Sequence, residues 1–185
     1  MFDNVTKSIR VLSAGSVEKA NSGHPGMPLG MADVGAVLYK NFLKVANDCP
    51  SWINRDRFVL SAGHGSALLY SLLHFNGFDI SIDDMKKFRQ LKSKTPGHPE
   101  LDTKLGIDIT TGPLGQGFAT GVGLALAESY LSNTFGDKII NHFTYGIVSD
   151  GDLMEGLSQE AAELASLWGL GTVSYTHLTL PTNDV

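Results

Sequence analysis

The fold is decided by the segment RDRFVLSAGHGS (residues 55–66), in which a short apolar strand runs into a glycine turn and then a helix. The same order recurs in NHFTYGIVSDG (residues 141–151), a strand that ends in a turn ahead of an amphipathic helix. Strands that feed helices through glycine turns are typical of parallel sheets with helices packed on them. The sequence therefore predicts an α/β fold built on a doubly wound, mainly parallel sheet.

Helices are predicted on both sides of these two segments. Asp3 or Asn4 is expected to cap a first helix that reaches about residue 21, since both residue types favour the N-cap position. Ser81 and Asp84 form a capping box, which predicts a short helix over residues 83–90. A helix rich in small residues is expected to follow the glycine-rich segment 111–117 and to end near residue 132.

Composition excludes several classes of protein. The 185 residues suffice for about one domain, and 14 Lys and Arg against 19 Asp and Glu give a net charge of −5. This balance argues against a nucleic-acid groove or a polybasic membrane patch, and no apolar run is long enough to cross a bilayer. A single cysteine, Cys49, fits a reducing compartment. The N-terminus shows no leader pattern, so a cytoplasmic location is expected.

Glycine is the informative excess: the chain has 21, and their clustering suggests loops that press backbone against a ligand. Three such segments, residues 62–66, 111–117 and 149–156, are placed by the pattern at strand-to-helix turns. Ligands of open parallel sheets bind beyond the carboxyl ends of the strands, where these turns lie. Helix N-termini carry unpaired N–H groups that attract anions. The sequence therefore predicts one pocket for an anionic, phosphorylated ligand.

Asp150 is the candidate metal ligand. It stands directly after the apolar strand over residues 143–148, and Gly151 beside it would let a phosphate approach closely. Mg²⁺ favours one or two carboxylates together with phosphate oxygens, and Asp152 and Glu155 add further acidic groups nearby. The alternative is that this Asp-Gly pair is an ordinary turn.

Three of the six histidines lie in loops rich in glycine and proline: His24, His64 and His98. An imidazole at such a position can bind a phosphate or hydroxyl and can move protons near neutral pH. Each one taken alone could be a simple surface or core histidine, but three in similar settings favour a shared polar site. Their spacing does not match zinc-binding motifs.

Five motifs carry a family resemblance: ANSGHPG, SAGHGS, TPGHPE, TTGPLGQG and SDGDLMEG, in this order along the chain. Together they resemble the N-terminal part of transketolases, from about residue 3 to residue 171. The resemblance implies a thiamine diphosphate-binding fold and transfer of a two-carbon ketol unit from a ketose phosphate to an aldose phosphate. It also implies two cofactors, thiamine diphosphate and Mg²⁺ or another divalent cation.

The resemblance assigns roles to individual residues. Asp150 would coordinate the metal ion that bridges the diphosphate, with Gly151 beside it. His24 and His98 would bind the sugar phosphate and assist proton transfers as catalytic residues. The residues expected to contact the cofactor, or to lie near it at a subunit interface, are His64, Gly112, Pro113, Leu114 and Glu155.

The chain also departs from the family pattern. Ser149 stands where the cofactor signature usually opens with glycine, a mild change. The signature usually closes about thirty residues later with an asparagine that completes the metal site, and that position lies past Gly171. The family's pyrimidine-binding domain, which acts across a homodimer interface, does not follow here. The chain is therefore expected to be inactive alone.

The last thirteen residues do not fit the expected core strand. Residues 173–185 read VSYTHLTLPTNDV, where Ser, Thr and His interrupt the apolar pattern of a buried parallel strand. The segment resembles the translation of a sequencing adapter, so residues 1–172 are interpreted as the partial domain and residues 173–185 as a non-native tail. An ordinary edge strand is the alternative. The chain could also be a subunit of a split transketolase, or a binding domain without catalysis.

The nucleotide sequence around codon 172 tests the interpretation of the tail. We expect adapter sequence after this codon, because the residues beyond it lack the pattern of a core strand. A natural continuation, with an asparagine about thirty residues past Asp150, would contradict this and favour a split enzyme.

Overall fold

The computed structural model describes residues 2–178, and this range contains seven α-helices and three β-strands. The helices are α1 (Phe2–Ala20), α2 (Gly26–Asn41), α3 (Ser66–Phe75), α4 (Ile82–Met85), α5 (Gln116–Phe135), α6 (Asp150–Met154) and α7 (Gly156–Leu167). The strands are β1 (Arg57–Leu60), β2 (Thr144–Ser149) and β3 (Val173–Leu178).

The three strands form one parallel sheet in the order β1-β2-β3. The register pairs Arg57 with Thr144 and Leu60 with Ile147, so the carboxyl ends of β1 and β2 lie side by side. β2 continues to Ser149, which pairs with the last residue of β3. The residues that directly follow β1 and β2 therefore lie together at the carboxyl edge of the sheet, where the parallel strands end.

Helices cover both faces of this sheet. Phe58, Leu60 and Ile147 belong to a core that includes residues of α1, α2 and α3. Val148 belongs to a second, smaller core with Phe118 of α5 and other residues of α5 and α7. Side chains alternate between faces along a strand, so one short sheet supports both cores. The predicted doubly wound α/β fold with a parallel sheet is confirmed.

Buried carboxylates fix the amino ends of the strands. Asp56, 1% exposed, precedes β1 and accepts hydrogen bonds from two backbone amides, Lys44 N to Oδ2 at 2.8 Å and Phe143 N to Oδ1 at 2.7 Å. Asp108 accepts one from Phe58 N at 2.8 Å and pairs with Arg55 at 2.6 Å. These contacts tie both strands to the loops that lead into them.

At the carboxyl edge the backbones of β1's turn and α5 come close together. An added Cβ at Gly117 would lie 2.4 Å from Cα of Ser61, which is nearer than real Cβ atoms approach. The nearest atom belongs to backbone, so a side chain could not simply rotate away. Only glycine therefore permits this packing of α5 on the end of β1.

Two predicted helices have different bounds in the structure. The capping box of Ser81 and Asp84 is confirmed, but α4 ends at Met85 instead of continuing to residue 90. After Met85 the backbone amides bond three residues back, Lys87 N to Asp84 O and Phe88 N to Met85 O, and Arg89 then takes a left-handed φ of 62°. α1 begins at Phe2, so Asp3 lies inside its first turn and pairs with Lys7 at 2.5 Å.

Two of the three glycine-rich segments are strand-to-helix turns, as predicted. Residues 62–66 follow β1 and residues 149–156 follow β2. Residues 111–117 precede α5 but are reached from a loop, so placing them after a strand was wrong. The segment after β2 also contains the short helix α6, which the sequence pattern did not predict.

Residues 173–178 form β3, the edge strand beside β2. Tyr175 stacks on Phe118 with ring centroids 4.1 Å apart, while Ser174, Thr176 and His177 are exposed. Ser174 and Thr176 share one exposed face of β3, whereas His177 is exposed on the same face as Tyr175. The non-native origin of residues 173–185 stays a prediction, and residues 179–185 lie outside the described range.

Across residues 2–178, no helix combines the length and the apolar character that crossing a bilayer would require.

Replacing Gly117 by alanine tests the close approach of α5 to β1. We expect a loss in the free energy of unfolding of about 1–3 kcal/mol, because the added methyl group overpacks the backbone of Ser61. Chemical denaturation measures it. Gly123 of the same helix has no atom within 4 Å of an added Cβ, so Gly123→Ala should stabilise by about 0.5–1 kcal/mol. Equal effects at both positions would contradict the packing.

Candidate functional site

Three loops bring the predicted histidines together at the carboxyl edge of the sheet. His24 lies between α1 and α2, and His64 lies in a single 3-10 turn between β1 and α3. Their rings meet edge to face with centroids 5.1 Å apart. His98, from the loop ahead of α5, lies beside Gly112, where an added Cβ would be 3.6 Å from its ring. His24 and His98 are exposed and His64 is partly buried.

The surroundings of these rings favour the neutral imidazole. Partial burial lowers the pKa of His64 below the ordinary 6.5, and the neighbouring His24 and His98 lower it further. Burial, Arg89 and His24 lower the pKa of His98 in the same direction. Near pH 7 both rings are therefore neutral, and a neutral imidazole has one nitrogen that donates and one that accepts.

The same pKa shifts link the site to stability. For each shifted histidine, the unfolded chain binds more protons than the folded chain between the lowered pKa and 6.5. The stabilising contribution is therefore fully present above pH 6.5 and is lost as the pH falls through the lowered pKa.

The loop carrying Gly112 is fastened to the turn that carries His64. Thr111 donates from Oγ1 to Leu60 O, the last residue of β1, at 2.8 Å. An added Cβ at Gly63 would lie 2.6 Å from this Oγ1 and 2.9 Å from Gly112 N. The turn after β1 and the loop ahead of α5 therefore form one continuous wall of backbone.

The segment after β2 packs against the other side of that loop. An added Cβ at Gly151 would lie 3.1 Å from the Leu114 side chain, and one at Gly115 would lie 2.9 Å from Cβ of Glu155. Pro113 is exposed on the loop between them. All the predicted cofactor-contacting residues thus lie along this loop or on the two segments that pack against it.

Asp150 is exposed at the end of β2. Its Oδ1 accepts a hydrogen bond from Gly151 N at 3.0 Å, which orients the carboxylate without burying it. The negative charges of Asp152 and Asp150 each raise the pKa of His64, but burial and His24 lower it by more. The parallel register sets the end of β2 beside the end of β1, so Asp150 lies at the same edge of the sheet as His64.

Asp152 is the central residue that the sequence did not single out for a role of its own. It is fully buried, and its Oδ1 accepts hydrogen bonds from Ser61 Oγ and Gly115 N, both at 2.9 Å. Its Oδ2 accepts from Ser149 N at 2.9 Å and contacts Ser149 Oγ at 3.0 Å. One carboxylate thus connects the end of β1, the loop ahead of α5 and the end of β2.

A capping box was the available signal for this residue. Ser149 and Asp152 stand three apart at the start of α6, as Ser81 and Asp84 do at α4, and both pairs form complete capping boxes. Such a pair predicts a helix start. It does not predict contacts with Ser61 and Gly115, which are distant in sequence.

Some of the amides near the helix starts have acceptors within the protein, while binding of a phosphorylated ligand by the others stays a prediction. Phe118 N, in the first turn of α5, donates to Ser61 Oγ at 2.9 Å, and Gly115 N donates to Asp152. In α6, Asp152 N donates to Ser149 Oγ at 3.2 Å. These amides have protein acceptors because serine and aspartate side chains cap the helix starts.

Within residues 2–178, no three His, Cys, Asp or Glu side chains are grouped so as to enclose a metal ion. Asp150 is nevertheless suited to one, because Mg²⁺ binds through one or two carboxylates and takes its remaining ligands from phosphate and water. The asparagine expected about thirty residues after Asp150 would lie outside the described residues.

Two other histidines lie apart from this group. His74 on α3 bonds through Nδ1 to Ile80 O at 2.7 Å, a structural contact. His142 precedes β2 at the opposite edge of the sheet, and burial together with Arg57 and Arg55 lowers its pKa to about 4.

A family profile described as the transketolase thiamine diphosphate binding domain matches residues 2–177 of the chain. Transketolase from Bacillus subtilis is 58% identical over 167 residues, which cover 89% of this chain and 25% of the relative. The chain therefore spans about a quarter of the length of that relative.

Solved transketolase structures agree with this match. The enzyme from Leishmania mexicana superposes with a TM-score of 0.92 at 48% identity, covering 96% of this chain and 27% of that one. A Pichia stipitis transketolase solved in complex with sedoheptulose 7-phosphate gives a TM-score of 0.91 at 46% identity, covering 95% of this chain and 26% of that one.

Replacing His24 by glutamine tests the coupling within the histidine group. We expect the pKa of His64 to rise, because a neighbour that disfavours its protonation is removed. NMR titration of the ring protons measures this. His142 is the internal control, because its lowered pKa arises from burial and two arginines and should not move. An unchanged pKa at His64 would contradict the coupling.

Proposed function

Since this chain belongs to the family of transketolase thiamine diphosphate-binding domains, we propose that it supplies the diphosphate-binding part of a transketolase. That enzyme would transfer a two-carbon ketol unit from a ketose phosphate to an aldose phosphate. The observation that carries the proposal is the meeting of three histidine loops and an exposed aspartate at the carboxyl edge of the sheet.

Asp150 would hold Mg²⁺, and the metal would in turn hold the diphosphate. Its exposure leaves the carboxylate free for a metal ion, while Gly151 lets phosphate oxygens approach the backbone. Several amides near the helix starts already donate hydrogen bonds within the protein. The metal ion would therefore supply the main attraction for the diphosphate. His64 and the stretch Gly112-Pro113-Leu114 would form the surface against which the cofactor packs.

Bound thiamine diphosphate supplies a nucleophilic carbon and an electron sink. The chain's own contribution is to bind the sugar and to move protons. His24 and His98 are exposed, and they would reach hydroxyl and carbonyl oxygens of a bound sugar. A lowered pKa keeps His98 neutral at pH 7, so its ring can donate one proton and accept another.

The exposed apolar side chains of α7 and its neighbours would contact the rest of a transketolase. Leu167 is 78% exposed, Met154 is 83% exposed and Trp168 is 46% exposed. Large apolar side chains that are this exposed can mark interaction surfaces. We propose that a pyrimidine-binding domain and the second subunit of a homodimer cover them, with Glu155 near that interface.

The pyrimidine-binding domain could belong to the same gene product or to a separate subunit of a split enzyme. With either arrangement, the isolated chain would lack part of the active site and would be inactive alone. The exposed Cys49 is compatible with the reducing cytoplasm, which we propose as the compartment.

Replacing Asp150 by alanine tests the metal site. In the complete gene product, we expect the Mg²⁺-dependent affinity for thiamine diphosphate to fall by more than about 100-fold. Mutating a residue that only supports a metal ligand typically costs about 10–100-fold, and Asp150 is proposed to bind the metal directly. Isothermal titration with and without Mg²⁺ measures the affinity. Asp137→Ala, which removes an exposed carboxylate just past the far end of α5, should bind as the parent does. Unchanged binding by Asp150→Ala would contradict the assignment.

A further inference from the structure

We propose that Asp152 is a positioning residue, whose buried carboxylate sets the affinity for thiamine diphosphate by holding three segments of the binding surface in register. The inference rests on the proposed function and adds a residue that would touch neither the metal ion nor the cofactor. Its basis is the set of hydrogen bonds around this one side chain.

The partners of Asp152 lie on each segment that forms the site. Ser61 is three residues ahead of His64, and Gly115 directly follows the Gly112-Pro113-Leu114 stretch. Ser149 directly precedes Asp150. A shift at any of these three contacts would therefore be transmitted within a few residues to a group proposed to bind the cofactor.

A second layer extends from the same carboxylate. Ser61 Oγ donates to Asp152 and accepts from Phe118 N, so its hydroxyl links the carboxylate to the first turn of α5. Ser158 of α7 donates from Oγ to Asp152 O at 2.6 Å. The residue thus also joins α5 to α7, the helices on one face of the sheet.

Both carboxylate oxygens are needed, because each accepts from a backbone amide. Gly115 N donates to Oδ1 and Ser149 N donates to Oδ2. An asparagine has only one oxygen, so in either orientation its NH₂ group would face a backbone N–H that cannot become an acceptor. Asp152→Asn therefore removes a positioning contact while keeping the size and shape of the side chain.

Asp56 provides a matched control at the opposite edge of the sheet. It is also buried, and each of its oxygens accepts from one backbone amide, Phe143 N or Lys44 N. Asp56→Asn should therefore disturb the fold by the same chemistry. It lies at the amino ends of β1 and β2, away from the proposed cofactor surface.

The experiment compares the two variants in the complete gene product. We expect Asp152→Asn to raise the Kd and the KM for thiamine diphosphate by about 10–100-fold, the range typical of residues that support a metal site without binding the metal. Saturating thiamine diphosphate should restore kcat. Asp56→Asn should leave both constants at the parent values. Both variants should lower the melting temperature.

A measurement without cofactor checks the positioning directly. Amide hydrogen exchange over residues 112–118 should be faster in Asp152→Asn than in the parent, and unchanged in Asp56→Asn. Should Asp152→Asn fail to fold, Ser61→Ala removes one donor to the carboxylate and should weaken cofactor binding in the same direction. Its control is Ser71→Ala, an equally buried serine on α3.

The outcomes separate this inference from the proposed function. Parent protein that does not bind thiamine diphosphate overturns the proposed function and this inference with it. A parent that binds, together with Asp152→Asn that binds equally well, overturns the positioning role alone. Equal loss of affinity in Asp152→Asn and Asp56→Asn would also overturn it, because the effect would then arise from general destabilisation.

Discussion

The carboxyl edge of the sheet depends on the buried carboxylate of Asp152. Three segments that are distant in sequence converge there, and each carries polar backbone groups that leave water on folding. A buried amide without an acceptor costs about 1–3 kcal/mol, so Gly115 N and Ser149 N require partners. One carboxylate with two oxygens satisfies both and accepts from Ser61 as well.

This arrangement explains the choice of small residues around the site. Gly117 is needed because α5 starts against the backbone of Ser61, and Gly63 is needed because its turn packs on Thr111 and Gly112. The backbones approach closely enough for Ser61 Oγ to accept a hydrogen bond from Phe118 N in the first turn of α5. The result is a closely packed backbone surface that carries His64 and Asp150.

Local sequence patterns predicted much of the fold. The strand, glycine turn and helix in residues 55–66 follow from apolar and glycine patterning, and the capping box at Ser81 follows from residues three apart. The capping box marks where α4 begins but carries no signal for where it ends, so the predicted end near residue 90 was wrong. The placement of residues 111–117 after a strand was wrong, since a glycine-rich loop has the same pattern whether or not a strand precedes it.

The sequence by itself determined the α/β class, the histidine loops and the aspartate after β2, because each depends on residues adjacent in the chain. Only the tertiary structure decided that His24 meets His64 and that Asp152 serves Ser61, Gly115 and Ser149 together. Apart from the local pair Ser149 and Asp152, those contacts join segments separated by tens of residues. The parallel register of β1 and β2 brings the ends of both strands, and with them Ser61 and Ser149, to one edge of the sheet.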